Sequence, residues 1–140
     1  MPSSAEHRAK YEANRHHLDT GNNGMPLSTL DGCWAATVAF YAALHLVDRL
    51  AARNNFHPSN HTERNAFVTS QHRAIWNAYN ALYTASLIAR YGTVNQFNSA
   101  YPGTTVQMVL IDQRLVAIET YVNNIFNPPS PPASSATGRS

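Results

Sequence analysis

The segment Leu30 to Arg53, LDGCWAATVAFYAALHLVDRLAAR, constrains the fold more than any other part of the chain. On a helical period, Trp34, Val38, Tyr41, His45 and Asp48 form one stripe, while Phe40, Leu44, Val47 and Ala51 form a second. A helix apolar on most of its circumference has to lie inside a bundle, with partners on several sides. The pattern predicts a helix over 29–53. Ser28 stands at its cap and Asp31 near the positive end of its dipole; Asn54, Asn55 and Pro58 mark its end.

The other elements are read around that rod. A polar helix over 5–18 carries only a thin apolar line (Tyr11, Leu18, and Ala9 or Ala13), which places it on the outside, and Gly21-Asn22-Asn23-Gly24 is a loop. Asn60-His61-Thr62-Glu63 spells a capping box that opens a third helix, broken near Thr69-Ser70 and resuming to Tyr91, where Gly92 suits a left-handed stop. Its face is Ile75 or Trp76, Tyr79, Leu82, Tyr83 and Leu87. A ladder of small residues from Ala74 to Ala89 allows close packing, leaving Trp34, Trp76, Tyr79 and Tyr83 as core or interface aromatics. Residues 93–103 read as a loop. Thr104-Thr105-Val106-Gln107 is a second capping-box spelling, before a fourth helix with a face of Val106, Val109 or Leu110, Ile118, Tyr121, Val122 and Ile125. No alternating strand pattern competes. The fold class expected is all-α, an up-and-down four-helix bundle over 1–126, followed by a disordered Pro-rich tail over 127–140.

Composition agrees with this and removes several function classes. Leu, Ile, Val and Phe make up one fifth of the 140 residues, near the level of disordered chains, but the net charge is only +2 and 20 alanines favour helix. One cysteine, Cys33, excludes a disulfide framework and any multi-Cys metal site; near a helix start its thiol could be activated, but no base stands beside it in sequence. No run approaches 18 uncharged apolar residues, and MPSSAEHRAKYE lacks a signal-peptide core, so no membrane span and a cytoplasmic location are expected. All seven histidines lie between His7 and His72. Their protonation would add seven positive charges to the first half of the chain.

The stretch WAATVAFYAALHLVDRLAARNNFHPSNHTERNAFV resembles the HEPN superfamily, in particular its subgroup with a Tyr-rich helix followed by a Pro-x-Ser-His loop. The match lies in Phe40-Tyr41-Ala42-Ala43-Leu44-His45, in His57-Pro58-Ser59-Asn60-His61 with one extra residue before the last histidine, and in Leu82 to Tyr91. It spans roughly residues 30 to 92. The resemblance implies an antiparallel helical bundle, usually a homodimer. Its members are RNA-cleaving toxins, partners of small nucleotidyltransferases, or non-catalytic domains associated with nucleotides or RNA. Ribonuclease members carry an Arg followed by His after four to six residues. Here Arg90 is followed at those offsets by Asn95, Gln96 and Phe97, while Arg49 to His57, Arg53 to His61 and Arg64 to His72 are each eight apart. The usual nuclease spacing is therefore absent.

The densest polar chemistry runs from Arg49 to Arg73. Arg49, Arg53, His61, Arg64 and Asn65, with Arg90 of the third helix, are the candidate phosphate-binding residues, a helix end and a helix start converging on one anion. The opposing reading is a solvated turn whose arginines merely offset a helix dipole. His57, His61 and Arg64 are the candidate catalytic residues should an atypical, metal-independent RNase site exist, with imidazole moving the proton and guanidinium holding the phosphate. Tyr41, His45 and Asp48 could form a relay, or simply a satisfied core histidine. His57-x-x-x-His61 suggests a metal pair only superficially, because Pro58 prevents helical geometry and no third ligand is evident; no metal or cofactor is expected. The function expected is a nucleotide- or RNA-associated, or partner-binding, module of a toxin–antitoxin or defence system. An RNase toxin and a structural adaptor subunit are the alternatives.

Overall fold

The computed structural model describes residues 3–20, 32–102 and 105–128. Among them the chain is all-helical with no strand. Helix α1 spans Ser4–Thr20, α2 Gly32–Arg53, α3 His61–Gln71, α4 Trp76–Tyr91 and α5 Val94–Ala100; a π-helical stretch, Val106–Leu115, continues directly into α6, Val116–Phe126. The Gly21–Gly24 loop, the Ser28 and Asp31 cap, the Thr104 cap and nearly all of the Pro-rich tail lie outside the described residues.

The central position of α2 follows from its sequence. Ala35, Ala36, Ala39, Phe40, Ala42, Ala43, Val47 and Ala51 are each at most 2 % exposed, so the helix is enclosed on nearly every side. It packs against α1, α4 and the π-helical stretch, with α6 and α3 adding smaller contacts. By length and composition α2 is also the one described helix that could cross a membrane, against the expectation that no such segment exists; 72 % of that stretch is buried inside the fold. Helix α1 lies outermost as expected, with His7 and Leu18 buried, and is tied to α6 where Tyr11 and Arg15 both reach Glu119.

Each helix end has a local cause. Helix α2 stops at Asn55, whose φ of 58° is left-handed: the Phe56 amide donates to the Ala51 carbonyl and the Asn55 amide to that of Ala52. Helix α3 is capped as its sequence predicts, the Asn60 side chain accepting the Glu63 amide at 2.9 Å, but Glu63 reaches one residue further back, to Ser59. Gly92 departs from expectation. Its backbone is extended rather than left-handed, and glycine is required there by space, since a Cβ would sit 2.8 Å from the Ile88 carbonyl oxygen.

Two further differences concern the C-terminal third. The segment read as a loop contains α5, opened by a complete capping box in which Thr93 and Gln96 each accept the other's backbone amide. It buries only Phe97, whose ring packs on Tyr101 and at the start of α2 beside Gly32. In the π-helical stretch the bonds run i to i+5, and the wider turn lets two adjacent residues, Leu110 and Ile111, both enter the core; Leu115, Ile118 and Val122 then follow Ile111 at ordinary helical spacing. Thr105 caps nothing, and Gln107 bonds forward to Asp112. Leu115→Ala should cost about 2–5 kcal/mol in denaturant unfolding and the exposed Gln113→Ala next to nothing; equal effects would contradict the burial of Leu115 in the core.

Candidate functional site

Helix α2 delivers His45 and Asp48 one turn apart on the side where α1 and α3 meet it. Asp48 and Arg64 are 7 % and 8 % exposed, and they form a bidentate ion pair. Arg64 donates through Nε to Oδ1 at 2.7 Å and through Nη2 to Oδ2 at 3.2 Å. This is the fork-to-fork geometry in which a guanidinium and a carboxylate satisfy each other. Both charges are removed from water, so neither is dispensable alone.

Imidazoles surround the pair. His7 of α1 places its Nδ1 3.4 Å from Nδ1 of His45, the rings stacked at 5.7 Å. His61, the first residue of α3, lies with its Nδ1 3.4 Å from Nη1 of Arg64, its ring against Tyr83 at 5.1 Å and Phe40 at 5.9 Å. Burial pushes His45 down to about 4, with Asp48 opposing; His7 is lowered by the same cause. His61 is lowered by burial and by the nearby positive charges of Arg64 and Arg90. Tyr79, fully buried beside this cluster, has its phenol pushed well above the ordinary range by desolvation.

The structure divides the residues that the sequence grouped. His61, Arg64 and Arg90 come together. Arg90 crosses from α4, donating to the Tyr41 hydroxyl at 3.2 Å and to Ser86, with its guanidinium over the Tyr91 ring at 5.2 Å. Arg49 and Arg53 point elsewhere: their guanidinium carbons lie 3.6 and 5.8 Å from the centroid of the Phe126 ring at the end of α6. The expected convergence of helix-end arginines on one anion is thus split between two places, and Arg64 is already neutralised by Asp48. Asn65 is half-buried, its Oδ1 without a hydrogen-bond partner among the described residues. His57 is half-buried and close enough to His7 for its charge to be felt.

The Tyr41–His45–Asp48 relay is also divided. Tyr41 accepts from Arg90, Asp48 pairs with Arg64, and His45 meets His7. His7 is the residue sequence reasoning missed. It lies 38 positions from His45, on a helix whose polar composition marks it as external; the one available signal was the 7, 11, 18 spacing that aligns it with Tyr11 and Leu18 on the inner line. His72, part of the polar stretch from Arg49 to Arg73, bonds the Tyr121 hydroxyl at 2.8 Å and ties the α3–α4 junction to α6.

The chain matches no family model, and no curated protein or solved structure is significantly similar to it.

The histidines do not form the large positive reserve that their number suggests. His7, His45, His61 and His72 are all held below the ordinary imidazole value, chiefly by burial. The unfolded chain therefore takes up protons first as pH falls, and the stability present above about pH 6.5 is lost between there and pH 4. The midpoint of urea unfolding should fall across that window, and a midpoint constant from pH 7 to 4.5 would contradict the burial of these rings.

Proposed function

We propose that this chain is a cytoplasmic, HEPN-like helical bundle that binds a phosphate-bearing ligand, a nucleotide or RNA, without the ribonuclease site usual in that superfamily. The observation that carries the reading is the setting of His61. The Arg64 guanidinium lies 3.4 Å from a half-buried imidazole at the start of α3, and Arg90 of α4, held at Tyr41, adds a second positive charge that this ring feels. Only Arg64 has a carboxylate partner, so Arg90 contributes a positive charge not offset by an ion pair among the described residues, rigidly held by Tyr41 and Ser86. A helix start, a fixed guanidinium and neighbouring tyrosine rings suit a phosphate and the base or ribose attached to it.

The Phe40–His45 and His57–His61 matches support placing the bundle in that superfamily, and the absent Arg–His spacing favours binding over cleavage. A homodimer belongs to the same proposal, with Tyr91 and Val94 supplying exposed apolar surface next to the Arg90 end of α4. A small nucleotidyltransferase is the protein partner that the resemblance suggests.

Binding of a fluorescent single-stranded RNA and of ATP should weaken steeply with salt. Arg90→Ala should raise Kd about tenfold for whichever ligand binds, the loss expected of one charged contact, while Arg8→Ala on the outer face of α1 leaves it unchanged. Absence of binding to both, or equal loss in the two variants, would overturn the reading. Cleavage of the RNA that is abolished by His61→Ala would replace it with the RNase alternative.

A further inference from the structure

We infer that His7, His45 and Asp48 form a three-ligand site for a divalent cation of the zinc type. One ligand atom from each lies within 4.8 Å of the other two, and the set joins α1 to α2 at a buried position. The inference goes beyond the proposed phosphate site and does not rest on it.

The separation of the imidazole nitrogens favours this geometry. Two Nδ1 atoms face each other at 3.4 Å. With Zn–N bonds near 2.0–2.1 Å, the edge of a tetrahedron is about 3.3 Å, whereas a right-angled octahedral edge would be about 2.9 Å. A direct hydrogen bond between the two rings would be long, and it would require one Nδ1 to carry the proton. The two nitrogens face each other nearly head-on, so a cation bound by both sits beside the line joining them, and each ring tilts to turn its lone pair toward it.

Asp48 supplies the oxygen. Its two oxygens accept from Arg64, but a carboxylate has about four lone-pair positions, so coordination and the ion pair are compatible. Arg64 then orients the ligand, as outer partners of metal-bound carboxylates do. The guanidinium also cancels much of the charge of Asp48, so the two imidazoles carry most of the affinity. The carboxylate oxygen lies within 4.8 Å of the imidazole ligand atoms, so closing the set around a cation requires Asp48 to move toward the histidines together with its Arg64 partner. Three protein ligands leave one position for water or an anionic oxygen, the arrangement of reactive rather than purely structural zinc sites. Two histidines and a carboxylate favour zinc over magnesium or calcium, which take oxygen donors.

The test uses the full chain after chelator treatment and dialysis. Zinc titration by calorimetry should show one equivalent per chain, and cobalt substitution should give the visible absorption of a tetrahedral centre. His7→Ala and His45→Ala should each weaken zinc binding at least tenfold and abolish the cobalt spectrum, while His16→Ala with His17→Ala, on the exposed side of α1, leaves both intact. The decisive readout is thermal: zinc should raise the melting temperature of the parent protein and not of His7→Ala, whatever that variant's own stability. No binding by the stripped parent protein, or binding and stabilisation that survive His7→Ala, would overturn the assignment.

Discussion

The ion pair between Asp48 and Arg64 is the contact on which the rest of the polar interior depends. It is formed between the central helix and the next helix in sequence, and both partners are more than nine-tenths buried. A buried charge pair of this kind adds little net stability over a hydrophobic pair, but it penalises strongly any arrangement that separates the charges. That penalty fixes how α3 meets α2. It places His61 beside a guanidinium, and it leaves His45 facing outward to His7 of α1. One carboxylate thereby divides the imidazoles between two neighbouring polar places, one flanked by arginines and the other by a second imidazole.

The surrounding helices hold this arrangement without taking part in it. Alanines on α2 let α1 and α4 approach closely, so short polar side chains span the gaps between rods. The far end of α2 is closed differently, with Arg49 stacked on Phe126 and its Nε unpaired. A cation against an aromatic face tolerates burial better than an isolated charge, which explains how Arg49 is accommodated in α2 without an ion pair among the described residues.

Much of this was legible in the sequence where a local rule operates. The all-α class, the central position of α2, the break between α3 and α4 and the Asn60 cap follow from periodicity and from side chains that bond their own backbone. What was not legible depends on packing or on long range. Ile111 and Leu115 stand at ordinary helical spacing from Ile118 and Val122 and could have been read, whereas the wider π-helical turn that buries the adjacent Leu110 and Ile111 together is announced by no propensity. Helix α5 is short and polar enough to resemble a loop, although its Thr93–Gln96 capping box was present to be read. The site was half visible. His61, Arg64 and Arg90 were recognised as chemistry-bearing, but the pairing of Arg64 with Asp48 and the approach of His7 to His45 are tertiary facts spanning 16 and 38 residues. Arg49 and Arg53, one turn apart, share a face of α2 and point together at Phe126, and Arg49 is turned about 100° from its neighbour Asp48, which meets Arg64.

The most direct measurement is a double-mutant cycle on the ion pair, using Asp48→Leu, Arg64→Met and the two together. Each single change leaves a buried charge without its partner and should cost about 3–5 kcal/mol, whereas the double variant should recover most of that loss. Simple addition of the two losses would mean that the charges do not hold each other, and that the pair does not organise the imidazoles around it.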